Sequence, residues 1–219
     1  MRTLFASATL GAIALAVIAI PGSAAELNRV APAPALESRA ASSQEVAYFA
    51  GGCFWGIEGV FDHVRGVKSA VSGYAGGSTA RPSYDSVSSG TTGHAETVKV
   101  TFDPRQVSYA RLLQIYYSVA TDPTELNRQG PDTGTQYRGA LFPTTQAQAR
   151  QARAYIAQLS RAGVFKRPIV TKVEPLRSFT AAEAYHQDFM AKNPRHPYIL
   201  ANDRPKVVAL KRLFPRQFV

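Results

Sequence analysis

Cysteine is almost missing from this chain: its 219 residues contain one, Cys53. A single thiol can neither close an intramolecular disulfide nor offer two thiolates to zinc, so disulfide scaffolds and thiolate-rich zinc centres are excluded. Acidic residues are also scarce, 15 Asp and Glu against 25 Lys and Arg, for a net charge of +10. That excess alone does not choose between nucleic acid, an anionic surface and simple solubility. Long apolar runs are scarce too: Leu4 to Ile20 includes Ser and Thr and falls short of the ~20 apolar residues a span requires, so a cleaved segment is expected ahead of the alternative, a retained membrane anchor. With 45% apolar and 18% charged residues, the composition excludes collagen, coiled coil and wholesale disorder.

What is present divides into three stretches. Residues 1–25 read as an export signal, with Arg2 as the positive start, an apolar centre from Leu10 to Ile20, and small residues at Ser23-Ala24-Ala25 for cleavage. The expected location is therefore exported, periplasmic or secreted. Residues 26–44 are rich in Ala, Pro and Ser without an apolar period and are expected to be a disordered linker. Residues 45–219 alternate short β-rich runs with helical ones and are expected to form a single domain.

Within that domain, Val46 to Ala50 reads as a buried strand broken by Gly51-Gly52, followed by a helix with Phe54, Ile57, Val60, Phe61 and Val64 on one side. Val67 to Tyr74 and Glu96 to Phe102 read as strands, and Ser108 caps a helix carrying Leu112, Leu113, Ile115, Tyr116 and Val119. A strand over Gln136 to Phe142, a long helix ended by Gly163, a strand over Ile169 to Val173 and a helix from Thr180 to Lys192 complete the pattern. The β-α-β-β-α-β start predicts an α+β, two-layer sandwich: a ferredoxin-like mixed sheet, helices packed on it, and a long irregular C-terminal segment.

Cys53 follows the Gly-Gly break at the first turn of a helix, where unpaired N–H groups and the helix dipole favour thiolate over thiol. Free cysteines often serve only as small buried hydrophobes. Here Phe54 and Trp55 adjoin the thiol and can build an apolar cup, Trp55 as its wall. Glu96, at a strand end near that cup, is the candidate proton donor, since apolar surroundings raise a carboxyl pKa. Tyr84 lies on one loop, and the polar stretch 127–138 holds Asp132 and Tyr137. Neutral tyrosine hydroxyls suit an oxygen that gains negative charge. The histidines at 63, 94, 186 and 196 show no close ligand pairing, so no metal is expected and His94 reads as a structural hydrogen-bonding residue.

Four motifs together resemble the A-type peptide methionine sulfoxide reductases: Gly52-Cys53-Phe54-Trp55-Gly56, Gly73-Tyr74-Ala75-Gly76-Gly77, Thr92-Gly93-His94-Ala95-Glu96 and Gly134-Thr135-Gln136-Tyr137-Arg138. The likeness runs from about Ala47 to Pro215 in the family's order. It implies that Cys53 attacks the sulfur of methionine sulfoxide, free or in proteins, while Glu96 protonates the leaving oxygen and Tyr84 and Tyr137 hydrogen-bond it. By the same resemblance Phe54 and Trp55 cradle the methyl group, Asp132 is a supporting carboxylate, and the S epimer is the substrate. The implied product on Cys53 is a sulfenic acid, with no cofactor.

The chain departs from that pattern where relatives carry resolving cysteines: Ser88 occupies one such position, and the C-terminal tail has none. The sulfenic acid is therefore expected to be reduced by an external thiol, from a thioredoxin-like protein or a small molecule, with the enzyme acting as a monomer. Thr121 and Gly139 replace the His and Ser usual there. Two other readings remain: a Cys hydrolase with His94 as base, and a non-catalytic envelope-binding module using the cationic segment from Lys192 to Val219. Nucleic acid is not an expected partner, because no aromatic-interleaved basic motif appears.

Overall fold

In the computed structural model, residues 29–37 and 42–219 are described. The expected export signal, residues 1–25, lies outside them. The fold begins with β1 (Glu45–Ala50), α1 (Phe54–Asp62) and β2 (Val67–Ala75), a split crossover that leaves room for one strand between. After the short α2 (Tyr84–Ser88), β3 (Ala95–Phe102) fills that gap, antiparallel to both neighbours. Then come α3 (Tyr109–Ile115), the two-residue strands β4 (Arg128–Gln129) and β5 (Asp132–Thr133), β6 (Ala140–Phe142) and α4 (Gln146–Arg161). The chain closes with β7 (Lys172–Val173), β8 (Phe179–Ala181), α5 (Phe189–Lys192) and α6 (Arg204–Leu213).

The main sheet has the order β7-β6-β1-β3-β2-β8, parallel only between β6 and β7. Its centre, β6-β1-β3-β2, is the expected ferredoxin-like arrangement. Alternation along the strands sorts the two faces. Ala47, Phe49, Tyr74, Val98, Val100, Phe102 and Leu141 point to the layer of α1, α3 and α4, forming the large core. Ala50, Ala75, Ala95, Ala140 and Phe142 face the other way, against Leu176 and Phe179. Glu96 is in phase with Val98, so its carboxyl enters the helix side, with Tyr74 opposite it in register.

Two expected caps are present: the Ser108 hydroxyl accepts from the Arg111 N–H at 3.1 Å, and α4 ends at Ala162-Gly163, where Gly163 has φ +59°. Four expectations need correction. The helix expected over 180–192 is β8 followed by turns, with α5 alone helical, because Gly73 and Ala75 at the edge of β2 pair with Ala181 and Phe179. The strand expected over 136–142 pairs only from Ala140, since residues 135–137 form a 3-10 turn, and that over 169–173 is confined to β7. The C-terminal segment is not irregular throughout, because α6 opens with Pro205 in its first turn, where a missing N–H is harmless.

Nor are residues 31–37 an unstructured linker. Ala31 is buried, its N–H donating to Ser118 Oγ and its carbonyl accepting from Gln114 Nε2. The Tyr155 hydroxyl donates to the Pro32 carbonyl, and Gln158 bonds both Ala33 and Ala35. A proline-rich strap without its own secondary structure is thus held by polar side chains of α3, α4 and the turn after α3, which satisfy its backbone groups.

Candidate active site

Gly51 and Gly52 let the chain turn from β1 into α1 at a crowded point. Gly52 has φ +104°, and a Cβ there would lie 2.6 Å from the Gln129 side chain, so both conformation and space require glycine. Gln129 is itself fixed, accepting from the Thr121 hydroxyl and the Asp122 N–H, each at 2.6 Å. Thr121, one of the family departures, thereby braces the turn.

Cys53 is the N-cap residue of α1 and is 8% exposed. The expectation of a resting thiolate is not met. Burial pushes the thiol well above its usual range, the negative charges of Glu96 and Asp203 push further, and the Trp55 N–H and Lys206 oppose them less strongly. Desolvation outweighs the helix terminus, so the free protein carries a neutral thiol.

Glu96, at 2% exposure, accepts the Phe54 N–H at 2.9 Å on Oε2, which fixes its carboxyl beside the thiol at the start of α1. Burial, then repulsion from Asp132 and Asp203, raises its pKa to about 8 against the opposing effect of the Phe54 bond. It is therefore largely a carboxylic acid at neutral pH, as the sequence reading required of a proton donor.

Tyr84 opens α2, whose Ser83 caps it, and Tyr137 closes the 135–137 turn. The Gln136 side-chain amide donates to the Ser88 carbonyl at 3.1 Å, holding the two elements together. Arg138, buried and paired through Nε and Nη2 to both oxygens of Glu174, anchors the next residue. Both phenols have raised pKa values, first from burial and then from Glu96, with Cys53 also contributing, so both hydroxyls are neutral donors within the electrostatic reach of Glu96 and Cys53.

Phe54 is fully buried against Tyr74 and His186. Trp55 is half-buried; its ring stacks on Phe189 at 3.7 Å and its Nε1–H donates to His186 Nδ1 at 3.0 Å. Asp132 accepts a hydrogen bond from the Tyr198 hydroxyl, whose ring meets Trp55 edge-on at 5.8 Å. Charge interactions thus link Cys53 to Glu96, Tyr84 and Tyr137, and Tyr198 joins Asp132 to the Trp55 ring. Tyr198, His186, Phe189, Asp203 and Lys206 were not anticipated. Asp203 is fully buried, pairs with Lys206 at 3.1 Å, and packs where a Cβ on Gly56 would stand 2.1 Å from its Oδ1.

His94 stands apart. Its Nδ1 accepts from the Gly77 N–H and its Nε2 bonds the Thr79 carbonyl, which is the structural role expected of it and leaves neither nitrogen for Cys53. The hydrolase reading loses its base.

A lone buried thiol, a protonated carboxyl and two neutral phenols on a ferredoxin-like sheet define a thiol-dependent oxidoreductase site. The comparisons with known proteins are specific. The peptide methionine sulfoxide reductase family model matches residues 45–217. The chain is 53% identical to a peptide methionine sulfoxide reductase MsrA 2 of Mesorhizobium japonicum, covering 82% of this chain and 92% of that one. It is 52% identical to the Deinococcus radiodurans MsrA, covering 79% and 84%. Among solved structures, methionine sulfoxide reductase A of Corynebacterium diphtheriae aligns with a TM-score of 0.62 at 36% identity, covering 73% of this chain and 79% of that one. Reduced Mxr1 of Saccharomyces cerevisiae aligns with a TM-score of 0.64 at 31% identity, covering 74% and 92%. The chain belongs to the peptide methionine sulfoxide reductase family, and its activity is methionine sulfoxide reduction.

Proposed function

We propose that this protein reduces the S epimer of methionine sulfoxide, free or within proteins, through a sulfenic acid on Cys53 that only an external thiol resolves. The observation that carries this reading is the pairing, at the first turn of one helix, of the chain's only thiol with a carboxyl whose pKa is about 8. A sulfoxide oxygen leaves only once protonated, so nucleophile and acid must share the pocket.

Glu96 gives its proton to the sulfoxide oxygen, and the Tyr84 and Tyr137 hydroxyls hold that oxygen as its charge develops. Cys53 bonds to the sulfoxide sulfur and yields its own proton to the emptied Glu96 carboxylate, which returns it as the S–O bond breaks and the oxygen leaves as water. A water then cleaves the new S–S bond, its hydroxyl going to the Cys53 sulfur and its proton to Glu96 while the thioether leaves with the bonding pair. The net change is Cys53–SH plus R–S(O)–CH3 to Cys53–SOH plus R–S–CH3, with Glu96 again protonated: the sulfoxide is reduced and the thiol oxidised. Phe54 and Trp55 cradle the methyl group, and Asp132 with Tyr198 closes the opposite side. The epimer preference rests on the family resemblance, and assays on the separated epimers test it.

With one cysteine in the chain and an exposed Ser88 on α2, two external thiols must convert the sulfenic acid to thiol, disulfide and water. A thioredoxin-like protein or a small thiol fits that need, and a monomer suffices. Export rests on residues 1–25 and places the reaction in the periplasm or outside the cell. No helix among the described residues is long and apolar enough to cross a membrane.

Intact-mass analysis of exported protein after one equivalent of substrate, without reductant, tests the scheme. The expected species has one added oxygen, which a dithiol removes, and an N-terminus near Glu26. An unchanged mass, or loss of two hydrogens without a sulfenic acid, contradicts it.

A further inference from the structure

Beyond the thiol site, α1 carries a second set of ionisable groups. Glu58 and Asp62 are four residues apart and share a helix face. Asp188 approaches them from the turn before α5, and one carboxylate oxygen from each of the three lies within 4.8 Å of the others. Glu58 is 1% exposed, and its Oε2 accepts from the Ser72 hydroxyl at 3.0 Å. Its Oε1 is buried without a hydrogen-bond partner, although the Asp188 amide approaches the carboxyl. An unpaired carboxylate oxygen inside a protein is expensive unless something positive completes it.

We propose that Glu58, Asp62 and Asp188 form a binding site for a divalent cation of the hard, oxygen-seeking class, Ca2+ in particular. Oxygens separated by no more than 4.8 Å can all touch one ion at Ca2+–O distances of about 2.4 Å. The shorter bonds and strict octahedron of Mg2+ suit a tighter set. Asp62 and Asp188 are exposed, which leaves that side open to water ligands. Asp62 is also the last residue of α1, where the helix dipole attracts positive charge.

Other charges limit the affinity. The Lys192 ammonium is 3.2 Å from Asp188 Oδ2, and His63, Arg195 and Lys211 line the same 580 Å³ groove. Burial raises Glu58 to about 7; Asp62, exposed as a residue but with its carboxyl partly desolvated in the groove and repelled by Asp188, is raised to about 6, so protons compete with the ion below neutral pH. A dissociation constant on the order of 10⁻⁴–10⁻³ M follows for such an open site. The bound ion would tie α1 to the segment 186–189, whose His186 and Phe189 hold the Trp55 ring. The site does not depend on the reaction assigned to Cys53.

Trp55 is the chain's only tryptophan and lies on this groove, so it can sensitise a luminescent Ca2+ analogue. Tb3+ titrated into the full chain at pH 8, with tryptophan excitation, is expected to give saturable emission that CaCl2 displaces. Asp62→Asn and Asp188→Asn, both at exposed positions outside the thiol site, are each expected to weaken Tb3+ and Ca2+ binding at least tenfold. At ten times the wild-type dissociation constant, CaCl2 should raise the wild-type Tm by about 3–6 °C over matched NaCl and each variant by no more than about 1–2 °C. Absence of saturable emission, or unchanged affinity in both variants, overturns the proposal.

Discussion

Cys53→Ser is expected to abolish reduction of dabsyl-methionine sulfoxide in dithiothreitol, a loss on the order of 10⁴-fold or more, leaving only the uncatalysed rate. The reason is compositional as well as geometric. The chain has no second cysteine to substitute, and a serine hydroxyl at this position cannot take oxygen from a sulfoxide. The substitution keeps the N-cap position and removes little volume, so the fold should survive with a cost of about 1 kcal/mol. Circular dichroism and Tm establish that the variant is folded. Equal rates in wild type and variant would remove Cys53 from the reaction.

Glu96→Gln is expected to slow turnover by ~100-fold or more, since the amide keeps the shape and can still accept the Phe54 N–H but has no acidic proton. The pH dependence separates this from a structural effect. Glu96 has a pKa near 8, so wild-type kcat/KM should fall as pH rises through that value and the acid is lost. The variant should lack that limb. Stability changes in the same sense. Between an ordinary value of 4.5 and about 8 the unfolded chain ionises this group while the folded chain keeps its proton. The native state therefore binds more protons there, and stability attributable to Glu96 is present below 4.5 and lost as pH rises through 8. The glutamine variant, free of that penalty, should gain Tm relative to wild type across the window. A near-normal rate in the variant would assign the proton to another group.

Local pattern carried much of this architecture. The strand-break-helix at 46–64 was legible because alternation, two glycines and a helical apolar stripe agree on one reading. The burial of Glu96 was legible because a carboxyl at the end of an apolar strand must face either water or the core, and here it faces the core. The thiol's ionisation was not legible. The helix terminus can be seen in sequence, but the burial and the Asp203 charge that outweigh it come from residues distant along the chain. Tyr198, Asp203 and Lys206 return from a C-terminal segment whose Pro205 resembles a break, and His186 and Phe189 sit in a stretch whose composition reads as helix. In these places pairing with the edge of β2 and packing on Trp55 override local propensity. The proline-rich strap was missed for the same reason, since its partners, Gln114, Ser118, Tyr155 and Gln158, lie roughly 80 to 125 positions away.

The claim beneath the mechanism is that a carboxylic acid persists at neutral pH next to the single thiol. A carbon-13 NMR titration of the glutamate side-chain carboxyls, with the Glu96 signal assigned by its loss in Glu96→Gln, measures this directly. The account predicts a midpoint near 8, and a midpoint near the ordinary 4.5 would contradict it.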